Sequence, residues 1–301
     1  MKKNLFVLVA LAALMALASG GPVLAYTLSG DFTNPGIYTE NTGGDLWTML
    51  KGTGGGINPR AATENSIEGD YVLVTGASGS ALYAVGELDT KFAPVNAVTI
   101  TANGSGFNLS GEGRTVTSVT NISVVHAADP IKGGTYAYST GLTISGEGIT
   151  PKNYNLQGLA AALAPVTYTG TSATYWGPSL ANLLGKAGIN TANMDSYIVV
   201  GATDGYATVL SMYEVTHPTG TQADLIAYGA TDGELNQGKW SGGTKNDNGF
   251  ARLILPGDKG AGRWVSNVDS IKVSTVPVPP GVFLLAPGLL GLFGMRKRFT
   301  M

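Results

Sequence analysis

Short runs rich in β-branched and aromatic residues recur along this chain, each bounded by Gly, Asn or Asp. They predict strands over Tyr71–Val74, Val98–Ala102, Val119–Val125, Tyr197–Val200, Thr208–Met212, Ala251–Leu255 and Ile271–Thr275. Two segments follow the helical period instead. One is Leu156–Leu163. The other is Ser179–Gly188, which sets Leu180, Leu183, Leu184 and Ala187 on one face and ends on a glycine suited to a C-cap. Asp45–Gly52 is their counterpart nearer the N-terminus. Many strands and few helices predict a β-dominated α+β fold.

The pattern also repeats. Tyr26-Thr27-Leu28-Ser29-Gly30-Asp31 parallels Leu142-Thr143-Ile144-Ser145-Gly146-Glu147, and Tyr71-Val72-Leu73-Val74 parallels Tyr197-Ile198-Val199-Val200. Gly111 to Val124 aligns with Gly260 to Val273, with seven of fourteen positions identical, including Gly-x-Gly-Arg at Gly111–Arg114 and Gly260–Arg263. The three matches keep their order, so two tandem related domains are expected. The alternative is convergent use of Thr, Val and Gly in β-proteins. The expected division is 26–127 for a shortened first domain, 128–141 for a linker and 142–275 for the second domain.

The two ends follow neither period. Lys2 and Lys3 precede an apolar run from Leu5 to Ala18. Ser19-Gly20-Gly21-Pro22 breaks it, and Val23-Leu24-Ala25 offers small residues before Tyr26. Residues 1–25 therefore read as a secretory signal peptide. At the other end Val276-Pro277-Val278-Pro279-Pro280 leads into an apolar stretch, Gly281 to Met295, closed by Arg296-Lys297-Arg298. Such a segment holds an exported chain at a membrane with its cations inside. It resembles the PEP-CTERM sorting tail of Gram-negative bacteria, with Val-Pro-Val-Pro-Pro in place of Pro-Glu-Pro. The resemblance implies processing of 276–301 by an exosortase after signal peptidase has acted. It also implies delivery to the cell surface or extracellular matrix, with polysaccharide as a possible partner there. A simple C-terminal anchor is the alternative.

Charge now changes the picture. The whole chain carries 18 basic and 20 acidic residues. The five cations Lys2, Lys3, Arg296, Lys297 and Arg298 lie in the end segments, which hold no acid, so the body has 13 basic against 20 acidic residues. That balance argues against nucleic acid as a partner. Cysteine is absent from all 301 residues, which excludes disulfides, thiolate metal sites and thiol nucleophiles.

From Leu142 to Val276 the succession is Ile144-Ser145-Gly146-Glu147, Trp176-Gly177-Pro178-Ser179-Leu180, Ala202-Thr203-Asp204-Gly205-Tyr206, Leu225-Ile226-Ala227-Tyr228, Asp232-Gly233-Glu234-Leu235, Arg252–Asp258 and Arg263-Trp264-Val265. This order resembles the molybdopterin-binding domain of the sulfite oxidase family. The resemblance implies a pterin cleft bordered by Tyr175, Trp176, Asp204 and Tyr206, with His217 and Arg252 as further candidates. It also implies a cysteine ligand for molybdenum, in the stretch between Pro165 and Trp176, where none exists. Loss of the soft thiolate removes the metal chemistry. The expected protein is thus non-catalytic, binding or structural, with no cofactor and no metal. The alternative is an oxidoreductase that holds molybdopterin without that ligand. An aromatic cleft with a carboxylate suits a sugar or another flat polar ligand, while ordinary core packing is the competing account of the same aromatics. His126 is expected on the surface or in the linker. The two Asp-Gly pairs at Asp204 and Asp232, and the Asn246–Gly249 run, are expected to be turns.

Overall fold

The computed structural model describes residues 25–30, 36–39, 44–52, 68–92, 98–103, 106–128, 138–231, 235 and 249–276. The signal segment before Ala25, the tail beyond Val276, Asp232–Glu234, Trp240 and Asn246–Asn248 lie outside them.

Alternation of period two builds the strands. The first group contains β1 (Ala25–Gly30), β2 (Gly36–Thr39), β3 (Gly44–Asp45), α1 (Leu46–Gly52), β4 (Asp70–Gly76), β5 (Gly79–Ala84), α2 (Val85–Leu88), β6 (Thr99–Ala102), β7 (Phe107–Gly111), β8 (Arg114–Val116) and β9 (Val119–His126). The second contains β10 (Leu142–Gly146), β11 (Lys152–Tyr154), α3 (Leu156–Ala162), β12 (Val166–Thr169), β13 (Thr174–Gly177), α4 (Leu180–Ala187), β14 (Ser196–Ala202), β15 (Ala207–Ser211), α5 (Met212–Thr216), β16 (Leu225–Ala227), β17 (Gly229–Ala230), β18 (Arg252–Ile254) and β19 (Val268–Thr275). The fold is β-dominated with few, short helices.

Two five-stranded sheets carry the architecture, in the orders β2-β1-β9-β4-β5 and β11-β10-β19-β14-β15. In each, the first strand pairs in parallel with the last, with Leu28 opposite Ile122 and Ile144 opposite Ile271. In each, the next pairing is antiparallel, with Val72 opposite Val124 and Ile198 opposite Val273. Both of these ladders shift register at their far end, at Thr75/Gly76 and Gly201/Ala202. Just before β9 and β19, Ser118 and Asn267 both take left-handed backbone, with φ of 48° and 55°.

Each sheet has its own core. Leu28, Val72, Val74, Ile122 and Val124 pack with α1 residues Leu46, Trp47 and Leu50. Ile144, Ile198, Val200, Ile271 and Val273 pack with α4 residues Leu180, Leu183, Leu184 and Ala187. Ser179 starts α4 by accepting the Asn182 N–H at 3.3 Å. Gly188 ends it in the left-handed region, its N–H donating to Leu184 and Gly185. The opposite strand faces meet in a seam, where Tyr71, Leu73, Leu82 and Ala84 pack with Tyr197, Val199, Val209 and Val276. Tyr71 and Tyr197, the matched tyrosines of the sequence repeat, stack at 4.6 Å between ring centroids. The Val209 N–H crosses the seam to the Glu68 carbonyl at 3.0 Å, and Ser80 Oγ donates to Asp195 Oδ1 at 2.9 Å.

Two expectations need correction. Met212 opens α5 rather than extending a strand, because Ser211 Oγ accepts the Glu214 N–H at 3.0 Å and so caps a helix there. His126 is no linker residue. It ends β9 opposite Asp70, and its Nδ1 lies 2.8 Å from the fully buried Asp70 Oδ1. Gly229-Ala230, just before the Asp232-Gly233 pair that lies outside the described residues, forms β17 against Trp176 and Tyr175.

Gly30 tests the parallel β1–β9 pairing. Its φ is +88°, and a Cβ there would sit 2.0 Å from the Val124 carbonyl oxygen of β9. Gly30→Ala is expected to cost more than about 2 kcal/mol, read as a lower midpoint in urea unfolding.

Candidate functional site

Burying a charge requires partners, and the centre of this structure buries several. Arg263 lies in a single 3-10 turn, Ala261–Arg263, with its side chain 3% exposed. Its Nη2 donates to Glu214 Oε1 at 2.6 Å, its Nε donates to Asp258 Oδ2 at 2.9 Å, and Nη2 also reaches Asp258 Oδ1. On the other side of the seam Arg114 Nη2 donates to Glu87 Oε2 at 2.6 Å, and its Nη1 donates to the Leu82 carbonyl at 2.6 Å. Its guanidinium lies over the rings of Tyr83 and Tyr213, at 3.7 and 4.5 Å from their centroids. Arg114 and Arg263 end the two Gly-x-Gly-Arg motifs, and Glu87 and Glu214 are each the third residue of the helix after β5 and β15.

Three glycines let the two sides approach. A Cβ on Gly86 would lie 2.2 Å from Arg263 Cδ, one on Gly113 would lie 1.8 Å from the Tyr213 hydroxyl, and one on Gly262 would lie 2.4 Å from the Phe92 ring. Each pair joins one sheet's group to the other's.

Beside Arg263 lies a cavity of about 30 Å³, room for one or two waters. Glu87, Glu112, Glu214, Asp224 and Asp258 line it with Arg263, Tyr213 and His217. Asp224 is 5% exposed. Its Oδ2, together with Glu214 Oε2 and Arg263 Nη1, has no hydrogen-bond partner among the described residues. Burial pushes the Glu214 carboxyl up to about 7, against the pull of Arg263. Burial raises Asp224 well above its ordinary value, and it raises Asp258 as well. Glu68, 1% exposed and beside this group, is pushed up to about 7 by burial, partly offset by its hydrogen bond with Tyr206 and by Arg263.

The residues expected at a cleft fall into different surroundings. Tyr175, Arg252 and Trp264 form one group: the Arg252 guanidinium lies 5.6 Å from the Tyr175 centroid and 5.4 Å from that of Trp264. Tyr168 stacks on Tyr175 at 6.5 Å and meets Trp264 edge-on at 5.9 Å. Trp176 lies over Gly229, where a Cβ would come within 2.4 Å of its indole. Asp204 and Tyr206 form a second group. Asp204 Oδ1 accepts the Tyr206 N–H at 3.1 Å, and the Tyr206 hydroxyl sits 2.6 Å from Glu68 Oε2 and 2.9 Å from the Gly262 carbonyl. His217 stacks on Tyr213 at 4.2 Å and, alone of the six, lines the cavity. Val276 is buried in the seam, its N–H donating to the Asp195 carbonyl at 2.9 Å. Pro277, Pro279, Pro280, Arg296, Lys297 and Arg298 lie outside the described residues. Sequence reasoning missed Glu68, Glu87, Glu214, Asp224 and Asp258 as a set. The available signal was a glutamate set among apolar residues in both Val85-Gly86-Glu87-Leu88 and Met212-Tyr213-Glu214-Val215.

Molybdopterin, the cofactor implied by the sequence resemblance, does not fit these residues. The chain has no thiolate, and the stretch where one was expected is the β12–β13 hairpin, closed over by Tyr168, Tyr175 and Trp264. Among the described residues no three His, Asp or Glu side chains are grouped to hold a metal. The carboxylates of the cavity are the wrong sign for a pyrophosphate.

No family model matches the chain, and no curated protein does. Among solved structures it is similar to the sulfane dehydrogenase SoxCD from Paracoccus pantotrophus, at 16% identity and a TM-score of 0.35. That likeness covers 62% of this chain and 50% of the other, so the chain spans about half the length of the one it matches. A likeness of that extent carries no activity across.

Arg263 is the cation that Glu214, Asp224, Asp258 and Glu68 share. Arg263→Met is expected to cost about 3–5 kcal/mol at neutral pH, because it strands buried carboxyls. The loss is expected to shrink as pH falls and those carboxyls take up protons. Urea unfolding of both proteins at two pH values measures this.

Proposed function

We propose that this chain is an exported, non-catalytic binding or structural protein of the cell surface or extracellular matrix. It is built as two related β-rich domains, 26–127 and 142–275, on a degenerate molybdopterin-binding fold. The observation that carries the non-catalytic reading is where the polar tips of the expected cleft residues go. Tyr206 is spent on Glu68 and Gly262, Asp204 on the Tyr206 N–H, and Arg252 on the faces of Tyr175 and Trp264. Groups held this way orient each other rather than a substrate. The relatedness of the domains is supported by the equal strand orders and equal registers of the two large sheets.

Export rests on the sequence of 1–25, and sorting on the Val-Pro-Val-Pro-Pro run with its apolar stretch and cations. In this reading signal peptidase and an exosortase act on the ends. The acidic body is then released to the surface or matrix, where polysaccharide is the partner to test.

Protein purified from its own host is expected to hold no molybdenum, tungsten or pterin by elemental analysis and fluorescence. Stoichiometric metal with pterin would establish the oxidoreductase alternative instead. The intact mass of the surface form is expected to lack residues 281–301, and their retention there would leave a plain anchor in place of a sorting tail.

A further inference from the structure

The Tyr206 hydroxyl has one proton and two oxygen neighbours. It lies 2.9 Å from the Gly262 carbonyl, which can only accept, and 2.6 Å from Glu68 Oε2. One hydroxyl proton cannot make two full hydrogen bonds, so either Tyr206 donates to an ionised Glu68 and its contact with Gly262 is weak, or a protonated Glu68 donates to Tyr206 and frees the hydroxyl proton for Gly262. The second arrangement serves both contacts, and in it Glu68 carries a proton. The other Glu68 oxygen, Oε1, is buried without a hydrogen-bond partner among the described residues, a costly position for a carboxylate and a milder one for a neutral acid. Glu68 belongs to the segment entering β4, while Tyr206 and Gly262 belong to the second group of strands, so this chain of bonds crosses the seam. The Glu68 carbonyl makes a second crossing, to the Val209 N–H.

The surroundings reinforce this. Glu68 faces Tyr206 and, beyond it, Asp204 from the β14–β15 turn. It also faces Asp258 and Arg263 around the 3-10 turn, and Lys91 after α2. Glu214 faces Arg263, Asp258, Glu87 and, across the seam, Arg114, and Asp224 faces Glu214, Arg263 and Asp258. Glu112 and His217 also line the cavity wall. Glu68, Glu214, Asp224 and Asp258 thus share Arg263 as a cation, with Lys91 beside Glu68 and Arg114, already paired with Glu87, acting on Glu214. All four cannot stay ionised in so buried a place. Either a metal ion or protons must make up the difference. No three acidic side chains are grouped to hold a metal among the described residues, which favours protons.

We propose that Glu68 and the carboxyls around Arg263 form a proton-operated clasp between the two large sheets, closed when protons from solvent occupy it and loosened when they leave. Loss of the Glu68 proton turns its bond with Tyr206 around, so that Tyr206 donates to the carboxylate and its bond to Gly262 is lost. It also leaves a new negative charge buried beside Asp258. The direction of the pH effect follows. Glu68 and Glu214 sit at about 7 in the folded protein against 4.5 ordinarily, so the native state holds protons that the unfolded chain has given up. The stability this contributes is full below the ordinary carboxylate range and is lost as pH rises through about 7.

Hydrogen exchange at the Val209 amide reports the clasp, with rates corrected for the intrinsic effect of pH. Between mildly acidic and mildly alkaline buffer the wild-type protein is expected to lose at least about tenfold in protection there. Glu68→Gln, which donates as the neutral acid does, is expected to lose clearly less protection across the same range, the remainder coming from Glu214. Equal loss in the wild-type and the variant, or no loss in the wild-type, would overturn the proposal. So would recovery of protection on adding Ca²⁺ alone in alkaline buffer, since a cation would then be what fills the site. Infrared spectra of the wild-type protein need no variant. A protonated-carboxyl C=O band in mildly acidic buffer should lose intensity with a midpoint of about 7, and its absence from the acidic sample refutes the clasp.

Discussion

One guanidinium, on Arg263, holds the middle of this molecule together under a surplus of opposite charge. Its two hydrogen-bonded partners, Glu214 and Asp258, are themselves buried, and Asp224 and Glu68 draw on the same cation. Such an arrangement is poor value as stabilisation alone, because desolvation takes back much of what attraction provides. What it supplies is position. The 3-10 turn that carries Arg263 also carries Gly262, whose carbonyl meets Tyr206, and it precedes Trp264, which closes over Tyr175. Removing the arginine therefore disturbs the aromatic group and the seam through one short stretch of backbone.

Arg114 shows a second solution to the same requirement. It pairs with one carboxylate and spreads the rest of its charge over two aromatic faces and a backbone carbonyl. The two arginines stand at matched positions of the Gly-x-Gly-Arg motif, yet Gly111–Arg114 turns a hairpin between β7 and β8 while Gly260–Arg263 enters a 3-10 turn. The common element is the glycine next to each arginine, pressed by Tyr213 in one case and Phe92 in the other. The motif specifies a close crossing and tolerates either local backbone.

Much of the architecture was legible in the sequence. Period-two runs located the main strands, and α4 was marked at both ends by Ser179 and Gly188. The seam was half legible: Tyr71 and Tyr197 were matched as repeats, but nothing in a linear pattern says that matched residues will touch. The candidate site was hardly legible. Tyr175, Asp204 and Tyr206 were chosen as residues able to face a ligand, whereas their polar atoms face the protein. The buried acids escaped because an isolated Glu in a sequence reads as surface. Glu68, Asp224 and Asp258 acquire their character from elements distant in the chain.

The parallel pairing of β1 with β9, and of β10 with β19, sets the order in which the chain can organise itself. Neither large sheet can close until its last strand exists, so a chain emerging from its N-terminus must hold β1 waiting across nearly a hundred residues for Asn121–Val124. The second sheet must then wait in the same way for Ser270–Val273. The same geometry sets the first and last strands of each sheet side by side but running the same way, so the start of β1 and the end of β9 lie at opposite ends of the pair. A rearranged chain that joined them would need a crossover along the length of the strands, where an antiparallel pair would need only a tight turn.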